Sequence, residues 1–205
     1  MNPTLAILTA TELEQRPLRA SLDHLSSRFS LVWHVGGMGA GATAESVMRL
    51  VHNHRPAWLV QAGIAGTLSE EVEVTESVLV ASDYQADLGA WRPETERFEP
   101  FTVAESAVVR CPYTSPLETS FRTVAARSVN CACSPLIPHG AAMVETMEGA
   151  AFFRACQNAG VPFLQLRTIS NRVGEPRDQW RIPEALDQLS QDLYRLVTML
   201  SDYPL

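Results

Sequence analysis

Two pairs of carboxylates stand where an apolar stretch of this chain gives way to a polar one. Glu12 and Glu14 lie in Thr11-Glu12-Leu13-Glu14, just after the run Leu5–Leu8, and Glu145 and Glu148 bracket Thr146-Met147 ahead of Gly149-Ala150-Ala151. Burying a carboxylate without a partner is expensive. Glu148 therefore has to be satisfied, and a pair of ligand hydroxyls would do it; a first-turn carboxylate favoured by the helix dipole is the alternative. Thr11 followed three residues later by Glu14 is the pattern of a helix capping box, with Glu12 then an ordinary first-turn carboxylate favoured by the helix dipole.

A third polar cluster ends the most apolar strand candidate. Phe163 to Ile169 runs into Ser170-Asn171, and a loop follows with Arg172, Arg177 and Trp180. The bland account is a solvated loop whose Trp180 covers the core edge. The sharper one is a polar strand end that reads a ligand, with cations and an aromatic ring beside it. Gly37-Met38-Gly39-Ala40-Gly41-Ala42 fits the glycine pattern of dinucleotide sites. The acidic ribose partner about 20 residues on is missing, because the next strand candidate ends Gln61-Ala62-Gly63. Two roles remain for these glycines: admitting backbone close to a small ligand, or making tight turns.

The elements that must position these groups alternate between strand and helix. Strands are expected at Leu5–Leu8, Leu31–Val35, Trp58–Gln61 and Val78–Ser82, with Gly63-Ile64-Ala65-Gly66 read as a turn after the third. Helices are expected from Thr11, with Pro17 as an interruption or restart point, and from Ala42 to His52. Between Gln85 and Pro138 six prolines break the chain into short pieces, where a helix at Leu117–Ala126 and a strand at Ser128–Cys133 are expected. A strand at Ala142–Met147, a helix at Glu148–Asn158 stopped by Gly160, the strand Phe163–Ile169 and a helix at Pro183–Leu200 complete the pattern. Such alternation implies a single α/β domain over 1–205: three layers, with a central mixed sheet flanked by helices. Ligands of such sheets sit beyond the strand ends, so the glycine turns, Glu12–Glu14 and Asn171 are expected on one rim.

Composition narrows the partners. The chain has 205 residues, 46% hydrophobic and 19% charged, which is globular rather than disordered. A net charge of -7 with scattered basic residues argues against nucleic acid. The first residues lack a signal-peptide pattern and no stretch approaches a membrane span, so a cytoplasmic protein without membrane contact is expected. Cys111, Cys131, Cys133 and Cys156 form no C-x-x-C pair, so buried free thiols are expected and a metal is not.

These segments, in this order, resemble the purine nucleoside phosphorylase and methylthioadenosine nucleosidase family. The likeness spans Leu5 to about Pro183 apart from the middle. It rests most on Val144–Ala151 and Thr168–Asn171, and it is nearest the branch that hydrolyses futalosine. The resemblance implies a small-molecule nucleoside substrate, no cofactor and a homodimer or higher homo-oligomer. It also implies that Glu14 activates water, that Met147 and Glu148 lie under the ribose with Glu148 accepting from its 2′ and 3′ hydroxyls, that Ile64, Ala65 and Gly66 line sugar and base, and that Asn171 faces the purine N7. Arg177 and Arg172 are candidates for a carboxylate on the substrate tail, with Trp180 against its aryl ring. The methylthioadenosine nucleosidases have Glu before the Met and Asp at the last position; Thr146 and Asn171 stand there instead. Ribosidic cleavage through an oxocarbenium-like state needs negative potential under the sugar, a base for water and a donor at the leaving purine. A phosphorylase would in addition need cations at the Gly36–Gly41 turn, which contains none. A ligand-sensing module built on that turn is the non-enzymatic alternative, distinguished by binding nucleosides without releasing base.

Overall fold

The computed structural model describes residues 2–22, 28–104, 107–132 and 137–201. Among the described residues ten strands and four helices follow one another. β1 (Thr4–Thr9), α1 (Glu12–Leu22), β2 (Ser30–Val35), α2 (Ala40–His54), β3 (Trp58–Thr67) and β4 (Ser77–Asp83) come first. A hairpin of β5 (Gly89–Arg92) and β6 (Arg97–Pro100) and the short β7 (Val109–Arg110) follow. Then come β8 (Arg122–Ser128), β9 (Val144–Thr146), α3 (Gly149–Ala159), β10 (Phe163–Arg172) and α4 (Ile182–Leu200).

The sheet is mixed, as expected. β1 pairs in parallel with β2 and β3, and β3 in parallel with β10. β10 meets β4 antiparallel, β4 meets β8 and β8 meets β9 in parallel, and β9 returns antiparallel to β3. The pairings therefore close a circuit through β3, β10, β4, β8 and β9, from which β1 and β2 extend. Residues Leu59, Val60, Leu79, Val80, Leu164 and Leu166 of this circuit are fully buried, which is why these strands read as continuous apolar runs. Helix α1 packs beside α4 and α2 beside α3. On α4 the residues Leu186, Leu189, Leu193, Leu196, Val197 and Leu200 are buried, as their 3.6-residue spacing requires. Gly160 ends α3 in the left-handed region, φ 64°, with its N–H on the carbonyls of Cys156 and Gln157.

Four expectations are corrected. Pro17 neither interrupts nor restarts α1, which runs through it. The proline leaves the Leu13 carbonyl without its helical donor, but Leu13 is exposed and water can supply one. The segment Gly63–Gly66 is not a turn. It continues β3, because β10 pairs with it as far as Thr67 and β9 joins at Gly66. Leu117–Ala126 is not a helix: one short turn at Ser115–Leu117 leads into β8, whose two neighbours β4 and β9 supply ladder bonds that override a weak helical preference. That strand ends at Ser128, where a strand was expected to begin; Cys133 lies outside the described residues. The β5–β6 hairpin and β7 were not anticipated.

Among the cysteines, Cys111 and Cys156 are buried free thiols, with the Cys111 thiol pushed up to about 11 by burial, whereas Cys131 is exposed. Among the described residues no helix is long and apolar enough to cross a membrane, and no cluster of three or more His, Cys, Asp or Glu residues is arranged to hold a metal.

Candidate active site

A cavity of about 200 Å³ opens where the carboxyl ends of β1, β3, β9 and β10 meet. Its wall contains Glu14, Ile64, Ala65, Gly66, Met147, Glu148, Asn171, Arg177 and Trp180, so these nine of the residues singled out in the sequence lie on one concave surface. Arg172 is exposed and is not part of that wall.

Glu14 is held at the start of α1. Its backbone N–H donates to Thr11 Oγ1 at 3.3 Å, while Glu14 Oε2 accepts from the Thr11 N–H and hydroxyl, both at 2.9 Å. The capping box is therefore real. It uses only one carboxylate oxygen in full. The other, Oε1, accepts from the Ile64 N–H at 3.1 Å and faces β3. Capping and a site role are thus compatible in one side chain.

Glu148 stands at the N-cap of α3 but makes no cap bond with its side chain. Its carboxylate turns into the cavity instead. There Oε1 accepts from the Gly39 N–H and Oε2 from Arg167 Nη2, each at 3.2 Å. The Gly36–Gly41 turn thus sends backbone toward a carboxylate of the chain itself. Gly39 has φ +86°, a conformation L side chains rarely adopt.

Arg167 is the residue the sequence reading passed over. It is almost fully buried on β10, and its donors spread over three acceptors: Glu148, the Ile64 carbonyl at 3.3 Å and Gln165 Oε1 at 3.4 Å. Glu14 and Arg167 both approach Gly63. A Cβ added to Gly63 would lie 2.6 Å from Arg167 Nη1 and 2.7 Å from Glu14 Oε1, so the glycine leaves room for both charged groups. Two glutamates and one arginine thus border this part of the cavity, a formal excess of one negative charge. The signal was available: an arginine within an otherwise apolar strand has to be paired.

Asn171 sits opposite, reached through a bulge in β10 between Ile169 and Asn171. The bulge lets consecutive residues Ser170 and Asn171 both face the cavity. Ser170 Oγ donates to Asn171 Oδ1 at 2.8 Å, and Asn171 Nδ2 donates to the Arg172 carbonyl at 2.9 Å. Gly66 again makes space, since a Cβ there would fall 3.3 Å from Asn171 Nδ2. At the far end the Arg177 guanidinium lies 5.3 Å from the centroid of the Trp180 ring, and Trp180 Nε1 donates to the Glu175 carbonyl at 3.1 Å. Leu13, Met38, Ile182 and Leu186 line the same cavity.

Glu145, three residues before Glu148, also borders the cavity but is paired with a different arginine. Arg127 Nε and Nη2 both donate to its Oε2, at 3.0 and 2.6 Å, and Arg127 Nη1 donates to the Ile137 carbonyl at 2.6 Å.

Comparison with known proteins bears on the family and the fold. A family model described as "Phosphorylase superfamily" matches residues 136–201. The chain is 31% identical over 180 residues to futalosine hydrolase of Streptomyces coelicolor, covering 80% of this chain and 75% of that one. It is 30% identical over 154 residues to futalosine hydrolase of Thermus thermophilus, covering 66% and 67%. The fold superposes on the native futalosine hydrolase of Helicobacter pylori with a TM-score of 0.81 at 14% identity, over 96% of this chain and 98% of that one. It superposes equally well, TM-score 0.81 at 16% identity over 97% and 100%, on a methylthioadenosine nucleosidase variant of Helicobacter pylori with 5′-methylthioadenosine in its active site. At such identities the structures establish the fold, and the two sequence relatives establish the family. The chain belongs to the futalosine hydrolase family within the phosphorylase superfamily, and it is a hydrolase acting on N-glycosyl bonds.

Proposed function

We propose that this nucleosidase cleaves futalosine with water, releasing hypoxanthine and dehypoxanthine futalosine as a step of menaquinone synthesis. By the resemblance it works in the cytoplasm as a homo-oligomer. The observation that carries the substrate reading is Asn171. An amide has two donor hydrogens and an acceptor oxygen at every pH. The Arg172 carbonyl takes one of those hydrogens, and the other is available to N7 of a purine or to its 6-oxo group. An Asp at this place would have to be protonated to donate, and its carbonyl would suit a 6-amino group.

The reaction follows from the wall of the cavity. The ribose lies over Met147, with its 2′ and 3′ hydroxyls on Glu148, and with Ile64–Gly66 along sugar and base. As the C1′–N9 bond lengthens, positive charge grows on the sugar, and the net negative floor formed by Glu14, Glu148 and Arg167 stabilises it. The leaving purine takes the bonding electron pair, and Asn171 donates to its N7. Water attacks C1′ and gives a proton to Glu14. The new C1′–O bond replaces the C–N bond, and the proton passes to the departing base by way of solvent. A general base of this kind typically contributes about 10²–10⁴-fold. Arg177, lying over Trp180, receives the carboxylate of the substrate tail while the ring packs on its aryl group.

The test is incubation with futalosine in phosphate-free buffer containing a chelator. Hypoxanthine should appear at a rate that added phosphate does not raise. Strict dependence on phosphate, or turnover of methylthioadenosine as fast as futalosine, would overturn the reading.

A further inference from the structure

Behind Glu148 lies a buried polar group that the chemistry above does not use. Asp83, at the end of β4, has no exposed surface. Ser128 Oγ, at the end of β8, donates to its Oδ1 at 3.0 Å. Thr146 Oγ1, at the end of β9, lies 3.4 Å from its Oδ2 and 2.9 Å from Ser128 Oγ. Burial pushes the Asp83 carboxyl up to about 7, and while it is ionised the chain of hydroxyl protons ends on it whichever way the Thr146 hydroxyl points. The hydroxyl lone pairs then face the other way, toward α3. There the Gly149 N–H donates to Thr146 Oγ1 at 3.2 Å and the Ala150 N–H to Ser128 Oγ at 2.9 Å.

These two amides are the first and second of the helix. The second is one that the side chain of an N-cap residue ordinarily accepts from. The N-cap residue here is Glu148, and its side chain makes no such bond. Two hydroxyls from other strands have taken the amides, and the Glu148 carboxylate is left to the cavity. The helix start also presses directly on this group: a Cβ on Gly149 would overlap Asp83 Oδ2 and Gln165 Nε2. Gln165 in turn accepts from Arg167, the partner of Glu148.

We infer that Asp83 is a positioning residue: through the hydroxyls of Ser128 and Thr146 it caps α3 in place of Glu148, and so keeps the Glu148 carboxylate turned into the cavity. The inference rests on the ribose role proposed for Glu148, and it gives Thr146 a task that an apolar residue of the same shape could not perform. In Asp83→Asn the amide can accept one hydroxyl but donates toward the other, so at least one helix amide loses its lone pair and Glu148 is drawn back to it.

The experiment is a double-mutant cycle on the nucleoside that the wild type hydrolyses, using Asp83→Asn, Glu148→Gln and the combination. Each single variant should raise KM by roughly tenfold, the equivalent of one ordinary hydrogen bond, and the double variant should be no worse than Glu148→Gln alone. Effects that multiply would mean that Asp83 acts independently of Glu148, and the inference falls while the ribose role stands. A normal KM in Glu148→Gln would remove the ribose role, and the inference with it. Should Asp83→Asn fail to fold, Thr146→Val and Thr146→Ser decide the matter. The valine should raise KM and the serine, which keeps the hydroxyl, should restore most of it; equal KM values in the two would overturn the inference.

Discussion

Two buried arginine–glutamate pairs flank the Thr146-Met147 segment, and they are built differently. Arg127 and Glu145 form a closed pair. Two nitrogens share one carboxylate oxygen at 3.0 and 2.6 Å, and a third takes a backbone carbonyl at 2.6 Å. Arg167 and Glu148 meet by one 3.2 Å bond, and the remaining Arg167 contacts are 3.3 and 3.4 Å to a carbonyl and an amide oxygen. Both arginines are as buried as core leucines. The difference lies in how tightly their acceptors hold them. Short, convergent bonds hold β8, β9 and the chain near Ile137 in one arrangement. Long bonds spread around a cavity leave a carboxylate with lone pairs for a ligand. Burial alone therefore does not mark a site; the length and spread of the partner bonds do.

The comparison can be broken most severely at Glu14, the second carboxylate close to Arg167. Glu14→Gln removes the base and should lower kcat by on the order of 10²–10⁴-fold. The loss of stability should be no more than about 0.5–2 kcal/mol, the range of a weakened helix cap. Turnover and thermal unfolding measured on the same protein decide this. A cap-sized loss of stability with normal turnover would make Glu14 purely structural. The opposite signature is expected from the closed pair. Arg127→Met takes its guanidinium partner from the buried Glu145 carboxylate, and should cost about 3–5 kcal/mol in denaturant unfolding. The kinetic constants of the protein that remains folded should change little. A large change in KM at unchanged stability would show that this pair, too, belongs to the site.

The smallest effect is the most selective. Asn171→Asp should move the kcat/KM ratio of futalosine to its 6-amino analogue toward the amino compound by on the order of tenfold, with stability nearly unchanged. A native enzyme that already prefers the amino compound, or a ratio that does not move, would remove Asn171 as the residue that reads the base.

The contrast between the pairs also explains what was legible in the sequence. Glu14, Glu148 and Asn171 each interrupt a local pattern: a capping box, an apolar helix start, the end of an apolar strand. Such positions can be seen in a window of ten residues. Arg167 interrupts a pattern as well and should have been taken as a functional candidate. Asp83 and Ser128 could not be found in this way. Each sits at an ordinary strand end, and their relation exists only because β4, β8 and β9 lie side by side in the sheet. The glycines were misleading for a related reason. Gly63 and Gly66 read as turn residues, yet they lie in a strand, and their bareness answers to Arg167, Glu14 and Asn171, residues distant in sequence or on another strand. Leu117–Ala126 reads locally as a helix, yet its second half belongs to β8, because the strands that decide its conformation come from elsewhere in the chain.

The capping box at Thr11 and Glu14 has one further consequence. Its bonds close over three residues, so they form with the first turn of α1 and need no ligand to complete them. The rotamer freedom of the Glu14 side chain, on the order of 1–2 kcal/mol for a glutamate, is therefore surrendered when the chain folds and not when a nucleoside arrives. On the role proposed for Glu14, the enzyme would meet its substrate with that carboxylate already held in place, and the binding energy of the nucleoside would be left to orient the ribose and the water.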